Sequence, residues 1–170
     1  MRTHDDFDEL ARVADGTMVI VTANFRDERA GCLVGFHCQC SIEPARYALW
    51  LSKPNHTCRV AIQSTHLGIH FLGHEDLELA RRFGEHTGDA IDKFFGREVE
   101  EGPGGVPLLT ECANRMVTRR VTSMDNGGDH MCFITEAVQV RNTGRSAPLR
   151  LSDVADFTPG HAAEERPEDS

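Results

Sequence analysis

The sequence predicts a mainly β fold, a small antiparallel barrel of six strands with three or four short helices at its mouth. Three observations predict it. Residues 17–23 and 47–51 are apolar on both faces, and in an antiparallel sheet that demands closure or cover. The alternating stretches 115–124 and 130–140 flank Asp125-Asn126-Gly127-Gly128-Asp129, and Asn-Gly in that setting is a hairpin signal. No βαβ unit and no internal repeat occurs along the chain.

The elements follow in order. Phe7, Leu10, Ala11 and Ala14 form one stripe of an N-terminal helix that Gly16 ends. Strand 17–23 turns through Arg26-Asp27-Glu28-Arg29 into strand 31–39, a hairpin. The corner Ser41-Ile42-Glu43-Pro44 leads to strand 46–51, and Val60, Ala61 and Ser64 have short-helix spacing. Residues 67–72 read as a fourth strand, and Leu79, Ala80 and Phe83 place a helix over 75–85 with acids in its first turn. A short helix over 87–95 closes at Gly96, and 100–105, EEGPGG, reads as a flexible loop. Strands 115–124 and 130–140 complete the barrel. Order is expected to fade from Asn142.

The 170 residues carry 18 Lys and Arg against 27 Asp and Glu, a net charge of −9, which argues against a nucleic-acid groove. Much of the excess lies at the end of the chain, where 153–170 holds six acids and one arginine. The start, MRTHDDFDEL, has acids where a signal peptide needs an apolar core, and no run approaches a membrane span, so a cytoplasmic location is expected. The six cysteines then read as small buried hydrophobes rather than disulfides.

Ser52-Lys53-Pro54-Asn55-His56-Thr57 has the chemistry of an anion site, with hydroxyls, an ammonium and the N–H groups of a helix start. The same residues also make an ordinary capped helix entry.

The order of motifs resembles the flavin reductase family of the FMN-binding split barrel. The residues that carry it are Gly31-Cys32-Leu33-Val34-Gly35, Ser41-Ile42-Glu43-Pro44, Ser52 to Thr57, Leu79-Ala80-Arg81-Arg82-Phe83, Asp92-Lys93-Phe94 and Gly128-Asp129-His130, between about residues 15 and 140. The resemblance implies a six-stranded antiparallel Greek-key split barrel with short flanking helices over 1–150; residues 151–170, where relatives commonly carry an aromatic, arginine-rich strand, read from their own composition as an acidic, disordered tail. It implies a homodimer with one flavin per subunit near the interface. The implied activity is reduction of FMN or FAD by NADH or NADPH, with reduced flavin handed to a separate monooxygenase. By position, Cys32, Leu33, Val34 and Gly35 would lie along the isoalloxazine. Ser52, Lys53, Asn55, His56 and Thr57 would hold the phosphate or ribityl chain, and Phe94 would line the pocket. His130 would sit near nicotinamide and flavin as a positioning and electrostatic group.

The departures from the family pattern bear on cofactor and substrate. Leu33, Gly35 and Phe36 stand where relatives usually carry hydroxyls, and His70 stands where they carry asparagine. A flavin-binding protein without reductase activity, or an oxidoreductase using a deazaflavin, is therefore the alternative.

Other constellations carry less. Lys53 and Lys93 are the only lysines, and both fall in matched motifs. His66, His70 and His74 lie on a strand pattern, where four residues span roughly 13 Å, too far for one metal. Cys38-x-Cys40 has no second pair at finger-like spacing, and only Cys58 sits near a helix start as a thiol nucleophile would. A two-fold dimer is expected from the two-sided apolar strands.

Overall fold

The computed structural model describes residues 3–144 and 146–160. It is mainly β and antiparallel. Seven strands form one sheet in the order β2-β1-β5-β8-β9-β4-β3, and two more form a separate hairpin, β6-β7. The six expected strands become nine for two reasons. The stretch expected as one strand over 31–39 breaks at Gly35-Phe36 into β2 (Glu28–Val34) and β3 (His37–Ser41). The loop expected over 100–105 is the turn of the hairpin β6 (Val99–Glu101) and β7 (Pro107–Leu109).

The break decides the architecture. β2 pairs with β1 (Val19–Phe25) through a two-residue turn in which Arg26 and Asp27 have φ of 49° and 66°. Both values are positive, as a turn matched to the strand twist requires. β3 pairs instead with β4 (Arg46–Ser52) at the opposite edge of the sheet. Since only Gly35 and Phe36 join the two edge strands, the sheet curls until its edges meet. The corner is fastened by Trp50 N–H donating to Phe36 O at 2.9 Å. His37 adds a second fastening: Nε2 lies 2.7 Å from Thr17 O and Nδ1 2.7 Å from the Tyr47 hydroxyl.

Inside the curl, alternate residues of β1 (Val19, Val21, Ala23) pack with Leu49, Leu51, Leu67, Ile69 and Phe133, and helix α2 (His56–Gln63) plugs one end with Cys58, Val60 and Ala61. On the other face of β1, Ile20 and Met18 pack with Leu79, Ala80 and Phe83 of helix α3 (Leu77–Glu85). Thr22, also on that side, donates to Pro107 O at 2.7 Å. The two-sided burial of β1 is thus satisfied within the chain.

Three further expectations change. Helix α1 (Thr3–Val13) forms, but its stripe is bare: Phe7 and Leu10 are 66% and 72% exposed, and Ala11 and Ala14 are exposed with them. The expected helix over 87–95 is a series of turns, with Asp92 Oδ1 accepting from Phe94 N–H at 2.9 Å. Order does not fade at Asn142. Leu149 and Val154 are buried against the α3 cluster and Phe157 packs on it, so the expected tail is anchored to the core through Val154 and Phe157. Residues 161–170 fall outside the described residues. The long strands β8 (Asn114–Asp125) and β9 (His130–Arg141) pair as the Asn-Gly signal requires, and β5 (His66–Phe71) joins β8 to β1.

His70 stitches three strands together. It is fully buried, with Nδ1 3.1 Å from Ile20 O and Leu109 N–H donating to Nε2 at 3.0 Å. The acceptor role of Nε2 requires a neutral ring, and burial lowers its pKa from 6.5 to about 4. The stabilisation is therefore complete above pH 6.5 and is lost as pH falls toward 4. His70→Gln should lower the unfolding free energy at pH 7 by roughly 2 kcal/mol. It should also shallow the loss between pH 6.5 and 4, as read from urea midpoints across that range.

Candidate functional site

The corner builds a cavity of about 350 Å³. Its walls are Cys32, Leu33, Val34 and Gly35 from the end of β2, Phe36 at the corner, Trp50, Leu51 and Ser52 from β4, and Asp129 and His130 at the start of β9. Met18, Pro54, Asn55, Leu151 and Pro159 complete it. Seven of the residues expected to bind or act on a ligand thus come together here: Cys32, Leu33, Val34, Gly35, Ser52, Asn55 and His130.

The remaining four sit around it. Lys53 is flanked by lining residues, but its ammonium donates to Asp125 Oδ1 at 2.8 Å and its N–H to Asp129 O at 2.9 Å, so it ties the β8–β9 turn to the 52–55 turn. Thr57 is buried in the first turn of α2, with its hydroxyl beside the Cys32 thiol and outside the cavity lining. His56 and Phe94 line a second, more charged cavity of about 410 Å³ with Arg29, Asp89, Asp92 and Lys93. His56 Nε2 there lies 2.7 Å from Glu28 Oε1. The cap of α2 is Asn55, whose side chain accepts from Thr57 N–H at 2.9 Å.

His130 stands beside the Phe36 ring, with centroids 5.1 Å apart. Its Nδ1 is 2.7 Å from Asp129 Oδ1, and the histidine holds the Asp129 carboxyl below the usual carboxylate range. A carboxylate at Nδ1 fixes the proton there and leaves Nε2 free to act.

Lys93 is a structural cation. It is 3% exposed, and its ammonium donates to Gly31 O at 2.8 Å and Phe83 O at 3.1 Å, joining β2 to α3. Gly31 leaves room for this contact, since a Cβ there would lie 2.7 Å from Phe83 Cε1. The thiols are not nucleophiles poised for attack. Burial raises Cys32, Cys112 and Cys132, and takes Cys58 to about 11. Cys38 and Cys40, expected to be buried, are exposed on β3. Among the described residues, no group of three or more His, Cys, Asp or Glu is arranged to hold a metal ion. No described helix is long and apolar enough to cross a membrane.

The residues present fit a flavin. Phe36, Trp50, Met18 and Leu33 supply apolar walls for a planar ring, and the backbone at the end of edge strand β2 supplies polar groups for its rim. The start of α2 lies on the Ser52–Asn55 side, where a phosphorylated chain would run. Met18, Trp50, Leu51, Leu151 and Pro159 carry no site signal in the sequence, and Phe36 stands out there only as a departure from the family pattern. Nothing in the letters reveals that the chain turns a corner at Gly35, whereas Pro54 and Asp129 fall inside quoted motifs, Ser52 to Thr57 and Gly128-Asp129-His130.

Comparisons with known proteins bear on the family and the fold. A family model described as a flavin reductase like domain matches residues 10–154. The chain is 29% identical, over 80% of its length and 81% of the relative's, to a protein of Archaeoglobus fulgidus described as ferric-chelate reductase (NAD(P)H). A flavin reductase domain protein from Arthrobacter sp. FB24 superposes with a TM-score of 0.77 at 22% identity, covering 98% of both chains. Nitrilotriacetate monooxygenase component B from Mycobacterium thermoresistibile superposes with a TM-score of 0.72 at 18% identity, covering 86% of this chain and 79% of that one.

Replacing Lys93 by Met leaves two buried carbonyls without a donor. The variant should lose about 2–4 kcal/mol of unfolding free energy, measured by denaturant titration. A loss within experimental error would mean that Lys93 does not join β2 to α3.

Proposed function

This chain belongs to the flavin reductase-like family, and we propose that it catalyses NAD(P)H-dependent reduction of FMN or FAD held in the corner cavity. The observation that carries this reading is the cavity wall, where the end of edge strand β2, two aromatic rings and an Asp-oriented histidine converge. A bound flavin supplies the ring that accepts a hydride from the nicotinamide and passes electrons on. The chain's part is positioning. Phe36, Trp50 and Leu33 exclude water from one side of the slot, and stacking geometry matters more to hydride transfer than a proton donor does. Asp129 holds the ring of His130 through Nδ1, so Nε2 is the polar atom available to ligands at the rim. Ser52 and Asn55 line the phosphate end, and Lys53, paired with Asp125 between them, supplies charge there.

The acceptor of reduced flavin is a separate monooxygenase, as the name of the component B relative suggests. The catalytic unit is a homodimer. Support for it comes from one sheet face: Met124, Cys132 and Trp50 stand in one cross-strand row, and Ile134, Ala48 and Cys38 in the next. With Phe36, that face leaves Met124 49% and Phe36 61% exposed beside the cavity. Light scattering should give twice the chain mass at micromolar concentration.

The activity test is to mix purified protein with FMN or FAD and follow NADH and NADPH absorbance. Oxidation above the free-flavin background is expected, and His130→Ala should slow it roughly ten- to a hundredfold. Bound flavin without oxidation would favour a binding protein, and no response to either flavin would favour a deazaflavin coenzyme. Lys53→Ala should weaken FMN by about 1.5 kcal/mol and riboflavin, which lacks the phosphate, much less. Equal losses would put the phosphate on another turn.

A further inference from the structure

The segment 149–160 crosses the molecule between two sets of anchors. At its start Leu149 O accepts from Met18 N–H at 2.8 Å and Leu149 N–H donates to Leu72 O at 2.9 Å. Asp15 then accepts from Ser152 N–H and Oγ–H at 2.8 and 2.9 Å. At the far end the Phe157 ring lies under the Arg81 guanidinium, 4.5 Å from its centroid, and against Gly84, where a Cβ would come within 3.3 Å of it. Gly160 N–H donates to Gly84 O at 3.2 Å, and a Cβ on Gly160 would overlap the His86 backbone. Between these anchors Leu151 and Pro159 reach the corner cavity and form part of its wall.

We infer that this strap is a binding element of the site: Leu151 and Pro159 contact the ligand, Phe157 and Gly160 position them, and docking of the strap sets how long a flavin remains bound. The inference rests on the reading of the corner cavity as the flavin site. The physical case is one of access. The rest of the wall belongs to the curled sheet and the turns fixed to it, whereas the strap is held at its far end by the Phe157 ring on Arg81 and the α3 cluster, by Gly160 N–H to Gly84 O, by Thr158 N–H to a Glu85 carboxylate oxygen, and by the Arg81–Asp156 pair at 3.5 Å. Beyond Val154 only Phe157 packs on the core, and a segment held by so few buried contacts and by exposed hydrogen bonds opens locally while the core stays folded. Because most affinity differences among variants of one site lie in the dissociation rate, loosening such a wall acts on release rather than on entry.

Trp50 is the only tryptophan and lines the same cavity, so its emission reports water access without any ligand. Phe157→Ala and Gly160→Ala alter the anchors and leave every lining residue in place. Both should raise acrylamide quenching of Trp50 about twofold in the ligand-free protein and speed FMN release about tenfold, with association unchanged. Arg81→Ala is a milder third variant, should either of these fold poorly. His70→Gln, which lowers stability at the Ile20 and Leu109 backbone without touching Phe157, Arg81 or Gly160, should change neither quantity. Wild-type quenching and release in all the strap variants would overturn the proposal, as would equal effects from His70→Gln. A wild-type chain that binds no flavin, with quenching still raised by the strap variants, would instead sink the functional reading and the strap's flavin role, leaving only its place in the wall.

Discussion

Two residues, Gly35 and Phe36, carry the chain from one edge of the sheet to the other, and the rest of the structure follows from that short connection. Edge strands separated by five others in the sheet order can be neighbours in sequence only if the sheet curls back on itself. Curling encloses the Val19–Phe133 core and leaves a hollow at the corner, where the end of β2 meets β4 and the start of β9. His37 and the Phe36–Trp50 backbone bond hold the corner shut, so the residues that fix the fold adjoin those that line the cavity.

The two lysines show how the site is stiffened from outside. Lys93 is buried among carbonyls and joins β2 to α3, while Lys53 latches the β8–β9 turn, and with it Asp129 and His130, onto the turn before α2. Loss of either cation would loosen one wall of the cavity from its support. His56 and Glu28 make a similar link between α2 and β2, facing the second cavity.

Much of this was legible in the sequence, because the signals concerned are local. Asn-Gly fixed the β8–β9 hairpin, amphipathic spacing found α1 and α3, and ordered motifs pointed to Cys32–Gly35, Ser52, Asn55 and His130. What stayed hidden depends on partners far away in the chain. The apolar run 31–39 reads as one strand, since nothing local says that its halves pair with different strands. Glu100–Gly105 reads as a loop because a three-residue strand has too few positions to show alternation. Residues 149–160 read as a tail because Leu149, Val154 and Phe157 are too sparse to have a period, and only contact with α3 gives them a place. The bare stripe of α1 is the opposite case, a clear pattern that nothing in the described chain covers.

The central claim is that the corner cavity, and not the larger charged one beside His56, receives the flavin. Hydrogen–deuterium exchange of the full chain with and without saturating FMN tests it most directly. Protection is predicted in peptides covering 32–36, 50–55 and 129–131, with residues 88–94 little changed. Protection confined to 27–31 and 88–94 would place the ligand in the other cavity and contradict the account.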